Sequence, residues 1–132
     1  MKPEREYYAS GQIKRERWIN RAGKQYKLDG PAVRGWHVNG RLEYEGWYIN
    51  NQLHRLDGPA FQWWYDNGQP RQEKWCINDQ THRLDGPAER EWGEDGQLVV
   101  EDWFINDVQY ETEAEFQVAV DLYKANEIAG LF

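Results

Sequence analysis

His54 and Asp57, and again His82 and Asp85, stand three residues apart, a spacing at which an imidazole and a carboxylate could act as an acid–base pair or share a metal ion. Glu16, Glu45, Glu73 and Glu101 could furnish the paired carboxylates of a glycosidase. The single cysteine, Cys76, could serve as a nucleophile. The spacing argues against all three. His54 and His82 are 28 residues apart, as are Glu45, Glu73 and Glu101 in turn. A catalytic or metal site converges unlike groups on one point, whereas groups recurring at a fixed interval are spread along the molecule. The glutamates are better read as bonding across strands to Arg, Lys or an indole N–H. Cys76 has no histidine at a partner spacing and reads as an inert, buried or half-buried thiol. With no glycine-rich phosphate loop and no cluster of metal ligands, the sequence predicts a non-catalytic protein without metal or cofactor.

The interval itself is the strongest feature of the chain. Leu-Asp-Gly-Pro-Ala occurs at 28–32, 56–60 and 84–88, a constant 28-residue step. Asn39-Gly40, Asn67-Gly68 and Asp95-Gly96 keep that step, as do Trp47, Trp75 and Trp103 and the Ile-Asn pairs at 49–50, 77–78 and 105–106. A degenerate copy precedes them, with Pro3, Ser10-Gly11, Trp18 and Ile19-Asn20 in the matching places. Four copies, at about 3–27, 28–55, 56–83 and 84–111, thus make one repeat region over 1–111.

Each copy reads as two strands and a tight turn. In copy three, Pro59–Asp66 and Gln69–Ile77 flank Asn67-Gly68, a pair suited to a type I′ hairpin because both central residues there need positive φ. Ile77-Asn78-Asp79 ends the second strand, and a short return leads to the next Leu-Asp-Gly-Pro-Ala. Its Gly is expected to supply the φ that the bend demands, and its Pro to open the next strand. The predicted fold is mainly β: a single-domain antiparallel meander of hairpins in an elongated, twisted sheet. Period-2 parity puts Ala32/Trp36, Ala60/Trp64 and Ala88/Trp92 on one face, with Trp18, Trp47, Trp75 and Trp103 as a stacked ladder. After Tyr110 the beat stops. Thr112-Glu113-Ala114-Glu115 is a capping box, and Phe116, Ala119, Val120 and Tyr123 follow at helical spacing. Residues 112–132 are therefore predicted to form a helix, from about 113 to 127, packed on the last repeat as a cap.

Eight Trp, eight Tyr and four Phe supply a core that the aliphatic residues would not. One cysteine excludes an internal disulfide framework. No apolar run resembles a signal peptide or a membrane span, which predicts a soluble, cytoplasmic protein. Charge is uneven. Residues 1–83 hold 14 Lys and Arg against 10 Asp and Glu, while residues 84–132 hold 2 against 13. The acidic end disfavours direct nucleic-acid binding, since phosphates would be repelled.

The pattern Trp-x-Ile-Asn, His-Arg-Leu-Asp-Gly-Pro-Ala and Trp-x-x-(Asn/Asp)-Gly resembles the MORN-variant repeats of many bacterial, bacteriophage and giant-virus proteins. The resemblance spans residues 3–111 and implies an elongated hairpin sheet serving as a scaffold or binding module, with no catalytic residues. Asp-Gly-Pro-Ala stands where typical MORN units end in Gly-x-Gly. With the net charge of −7, that argues against a lipid-binding role.

The face opposite the Trp positions varies between copies, carrying Val33, Gly35 and His37, then Phe61, Trp63 and Tyr65, then Glu89, Glu91 and Gly93. Phe61, Trp63 and Tyr65, with Tyr44 and Tyr48 beside them, form an aromatic cluster that the repeat does not require, and such clusters anchor interfaces. Glu89, Glu91, Glu94 and Asp95 would flank it and select a basic rim on a protein partner. The expected function is a non-catalytic protein–protein interaction module. The alternative is a small acidic viral inhibitor of a host defence or nucleic-acid-binding enzyme, acting by steric block or phosphate mimicry.

Overall fold

The structure, a computed structural model, describes residues 2–130; the last two positions of the expected 112–132 segment lie outside the described residues. Copy one gives β1 (Glu4–Tyr7) and β2 (Ile13–Arg17). Copy two gives β3 (Val33–Trp36), β4 (Leu42–Gly46) and two short strands, β5 (Tyr48–Ile49) and β6 (Gln52–Leu53). Copy three repeats this as β7 (Phe61–Trp64), β8 (Pro70–Lys74), β9 (Cys76–Ile77) and β10 (Gln80–Thr81). Copy four has β11 (Glu89–Trp92), an unbroken β12 (Leu98–Ile105) and β13 (Val108–Tyr110), followed by α1 (Glu113–Ile128). Among the described residues nine strands form one antiparallel sheet in the order β1-β2-β3-β4-β7-β8-β11-β12-β13. The mainly β hairpin meander with a C-terminal helix is the fold of this chain.

The hairpin turns differ from expectation. At Asn39-Gly40 and Asn67-Gly68 only the glycines have positive φ, +85° and +88°. Gly40 N–H donates to the His37 carbonyl at 2.9 Å, and Asn39 Oδ1 accepts from Arg41 N at 2.9 Å. This is a three-residue loop closed by a left-handed glycine, not a two-residue type I′ turn. One extra residue on the returning strand accompanies it, because Gly35 faces Tyr44 whereas Trp36 faces Leu42. The paired positive φ values of a type I′ turn occur instead at Asn50-Asn51, Asn78-Asp79 and Asn106-Asp107.

Those turns belong to a second row of pairing. The β5–β6 and β9–β10 hairpins leave the main sheet after Trp47 and Trp75 and bond to the neighbouring copies. Lys27 N–H donates to the Tyr48 carbonyl at 3.1 Å, Arg55 N–H to Cys76 at 3.1 Å and Arg83 N–H to Phe104 at 3.2 Å. Asn51, Asp79 and Asp107 donate back to Gln25, Leu53 and Thr81. Each copy is thus tied to the next twice, once through long strands and once through the returns.

The Trp positions also pack differently from a ladder of stacked indoles. Trp18 N–H, Trp47 N–H and Trp75 N–H donate to the carbonyls of Ala32, Ala60 and Ala88, so indoles alternate with alanines along one row. The alanines are 0% exposed while the indoles are half-buried. Alternating large and small side chains lets each ring cover its small neighbour. Between the Trp rows runs a ladder of charge: Arg5, Glu16, Arg34, Glu45, Gln62, Glu73, Arg90 and Glu101 oppose one another in turn. Glu16 and Glu45 bond Arg5 and Arg34 at 3.1 and 2.8 Å, and Arg90 reaches both Glu73 and Glu101. The indole N–H groups of Trp18 and Trp75 are not part of this network and find no acceptor among the described residues.

Thr112 caps α1, its Oγ1 accepting from Glu115 N–H at 3.1 Å, with Glu113 and Glu115 in the first turn where the helix dipole favours them. Phe116 and Val120 are buried against Ile105, with Leu84, Trp103 and Tyr110 packed around them. The helix therefore covers the end of copy four. Among the described residues no helix is long and apolar enough to cross a membrane.

Candidate binding surface

The aromatic residues singled out from the sequence come together on the face opposite the charge ladder. Register places Tyr44 opposite Trp63 and Gly46 opposite Phe61. The Tyr44 and Phe61 rings stack with centroids 6.1 Å apart and planes 10° apart, and Trp63 meets Phe61 edge-on at 6.2 Å. Two glycines make the arrangement possible. A Cβ at Gly35 would overlap the Tyr44 ring, and one at Gly46 would sit 2.6 Å from the Tyr48 ring and 3.3 Å from Phe61. Tyr44 and Tyr48 thus lie on bare backbone with Phe61 beside Gly46, and all the rings of the cluster remain half-buried. Burial raises the phenol pKa of Tyr44 and of Tyr48, so both stay neutral donors near pH 7. The helix core is built on Leu84, Trp103, Ile105 and Tyr110 and does not include these rings.

Tyr65 is at the end of this cluster and carries a second duty. Arg71 sits 4.6 Å from the Trp63 ring and 5.6 Å from that of Tyr65. The Tyr65 hydroxyl donates to the Trp92 carbonyl at 2.8 Å, as Tyr8 does to Trp36 at 2.6 Å; His37 Nε2 meets the Trp64 carbonyl at 2.9 Å. A ring with a polar tip at this place links one copy to the next. Tyr65 is set by the repeat, whereas Tyr44, Tyr48, Phe61 and Trp63 are not.

The acidic flank lies two strands away. Lys74 is opposite both Phe61 and Glu89, with its Nζ 3.7 Å from Glu89 Oε1, so a cation separates the rings from the first carboxylate. Glu91 stands beyond Gln72 in the row of Trp63 and is exposed. Glu94 and Asp95 occupy the tip of the last hairpin, where Asp95 Oδ1 accepts from Gln97 N–H and the Glu94 carbonyl from Asn67.

The periodic histidines are structural. His54 Nδ1 accepts from Asn78 N–H at 3.0 Å and His82 Nδ1 from Asn106 N–H at 3.1 Å, each holding the turn of the next copy. Cys76 is 1% exposed, and burial pushes its thiol pKa up to about 11. Among the described residues no three His, Cys, Asp or Glu side chains gather as a metal site would require. Compared with models of known families, with curated proteins and with solved structures, the chain matches none.

Proposed function

We propose that this chain is a non-catalytic protein-interaction module, built on MORN-variant repeats and acting in the cytoplasm. Its binding surface is the aromatic patch of Tyr44, Tyr48, Phe61 and Trp63, with Tyr65 at its border and Glu89, Glu91, Glu94 and Asp95 as an acidic flank. The observation that carries this reading is the pairing of large rings with Gly35 and Gly46 on the central strands. It yields a flat, half-exposed apolar surface that the repeat does not need. Flat aromatic surfaces with a polar rim are the anchors of protein interfaces. Lys74 and Arg71 at the border favour a partner with mixed charge beside the rings, and the glutamates favour a basic rim further out.

The test is affinity capture from lysate of the source cell, with wild-type protein, Trp63→Ala and the double variant Glu89→Lys/Glu91→Lys as baits. Trp63→Ala should lose the partner while keeping its melting temperature within a few degrees. Capture of the same proteins by Trp63→Ala would overturn the patch as the site. The second reading, an acidic inhibitor of a defence or nucleic-acid-binding enzyme, draws on the exposed cluster Glu91, Glu94 and Asp95. It predicts binding that weakens steeply with salt and is lost in the lysine double variant, whereas contact through the rings is nearly insensitive to salt.

A further inference from the structure

A groove lies between copies two and three on the side of the repeated Trp residues, with Leu28, Trp47, Ile49, His54 and Leu56 in its walls and a volume of about 760 Å³. A second groove of about 450 Å³ lies between copies three and four, lined by Leu56, Trp75, Ile77, His82 and Leu84. The two are the same site one 28-residue step apart: Leu28 becomes Leu56, Trp47 becomes Trp75 and His54 becomes His82. What differs is their cover. Tyr123 and Glu127 of α1 line the second groove, and the Tyr123 ring is 5.6 Å from that of His82. One step further on, Phe116 and Val120 pack against Ile105, with Trp103 and Leu84 beside them. Leu28, which lines the first groove alone, is 73% exposed, and Leu56, which lines both, is 78% exposed; Leu84, the counterpart of Leu56 in the second groove, is packed against the helix cluster.

The helix and the repeat have matching pitch. From the Phe116/Val120 pair to the Tyr123/Glu127 pair is seven residues, about 10.5 Å of helix at ~1.5 Å per residue. One repeat adds two strands, about 9.6 Å at ~4.8 Å each. A helix lying along the repeats therefore offers a fresh pair of side chains to every groove it crosses. We propose that the groove between copies two and three is a docking seat for an amphipathic helix of a partner protein. That helix carries an aromatic side chain with an acidic residue four positions later, as Tyr123 and Glu127 do. Lys27 stands at the wall of this groove where Arg55 stands in the next, so each groove has a cation in its wall. The occupant is a different protein because the α1 of a second copy would have to abandon the Ile105–Phe116–Val120 core to reach the seat. This site is independent of the aromatic patch, which lies on the opposite face of the sheet.

The probe is a fluorescein-labelled peptide of residues 112–130, held helical by a lactam between Asp121 and a lysine replacing the exposed Gln117. Its anisotropy is followed with the full chain as titrant. Saturable binding is expected to wild type and to Trp63→Ala, and to be about tenfold weaker for Leu28→Asp. Leu28 belongs to the first groove and not to the second, so this variant separates docking there from displacement of the resident helix. Its exposure predicts an unchanged melting temperature. Absence of saturable binding, or equal binding by Leu28→Asp with its fold intact, overturns the proposal. A concentration-dependent dimer in light scattering that Leu28→Asp abolishes also overturns it, by giving the seat to a second copy.

Discussion

The Arg83 guanidinium lies 3.9 Å from the centroid of the Trp75 ring, while its Nε bonds Asp85 Oδ1 at 2.8 Å and its Nη1 donates to the Pro87 carbonyl at 3.1 Å. Arg55 repeats all three contacts with Trp47, Asp57 and Pro59. The recurring Arg-Leu-Asp-Gly-Pro is thus one device: a planar cation laid on the indole of its own copy and pinned by the carboxylate and carbonyl that follow. Stacking of this kind stabilises by about 0.5–2 kcal/mol, and an orphaned carbonyl adds to the loss. Arg83→Ala should therefore cost about 1–3 kcal/mol in chemical denaturation. Arg83→Lys should retain part of that, since Lys27 stacks on Trp18 at 4.3 Å. Gly86→Ala should approach the loss of Arg83→Ala, because its Cβ would sit 2.9 Å from the guanidinium carbon.

Trp75 and Trp63 are both half-buried, yet they should respond differently to truncation. Trp75 lies in the row that covers Ala60 and Ala88 and supports Arg83, so Trp75→Ala removes cover from two fully buried residues and the platform of a third. A loss of about 3–5 kcal/mol is expected, as for other large-to-small changes at packed rings. Trp63 touches Phe61 at an edge and carries Arg71, and Trp63→Ala should cost about 1–2 kcal/mol. Equal shifts in denaturation midpoint would remove the distinction between the repeat-bearing face and the patch.

The hairpins, their order and the capping helix were legible because a 28-residue repeat and a capping box are local signals. The return segments were not. Gln80–Arg83 reads as a connector, but Thr81 N–H donates to Asp107 Oδ1, 26 positions away, and Arg83 N–H to the Phe104 carbonyl of the next copy. Periodicity shows that a position recurs without showing what it touches. The same limit hid a second role of the glycine of Leu-Asp-Gly-Pro-Ala: Gly58 and Gly86 have no positive φ and make room for Arg55 and Arg83. For the candidate site, parity alone put Phe61, Trp63 and Tyr44 on one face. That Gly35 and Gly46 form its floor depends on strand register, which becomes visible only once neighbouring copies are paired.

His82 should give the fold a pH dependence. Its Nδ1 accepts from Asn106 N–H, which requires an unprotonated nitrogen, and burial beside the helix lowers the imidazole pKa below its ordinary 6.5. The unfolded chain then binds the proton more readily than the folded one. The stabilisation is fully present above pH 6.5 and lost as pH falls through that value toward the folded pKa. Asp85 acts lower: the Arg83 hydrogen bond depresses its pKa below 3.8, so its contribution disappears only in more acid solution. Acidifying from about pH 7.5 to about pH 5.5 should lower the melting temperature of wild type more than that of His82→Asn. The Asn carboxamide oxygen can accept the Asn106 bond without titrating. Identical slopes for the two proteins would show that the imidazole is not the group responsible.

Cys76 should be protected from alkylation as long as β9 holds. The side chain is 1% exposed, it neighbours the Arg55 N–H bond that ties copy two to copy three, and its pKa is pushed up to about 11 by burial. At pH 8 roughly one thiol in a thousand would be ionised, against about a quarter for a free cysteine. Only the thiolate attacks iodoacetamide, so burial and ionisation act in the same direction. Labelling followed by mass spectrometry should be at least about a hundredfold slower for the native chain than in denaturant. Destabilising the seam between copies two and three with Arg55→Ala should raise the native rate, because opening to solvent becomes more frequent as stability falls. A native rate equal to the denatured one would place Cys76 at the surface and remove it from the seam between copies two and three.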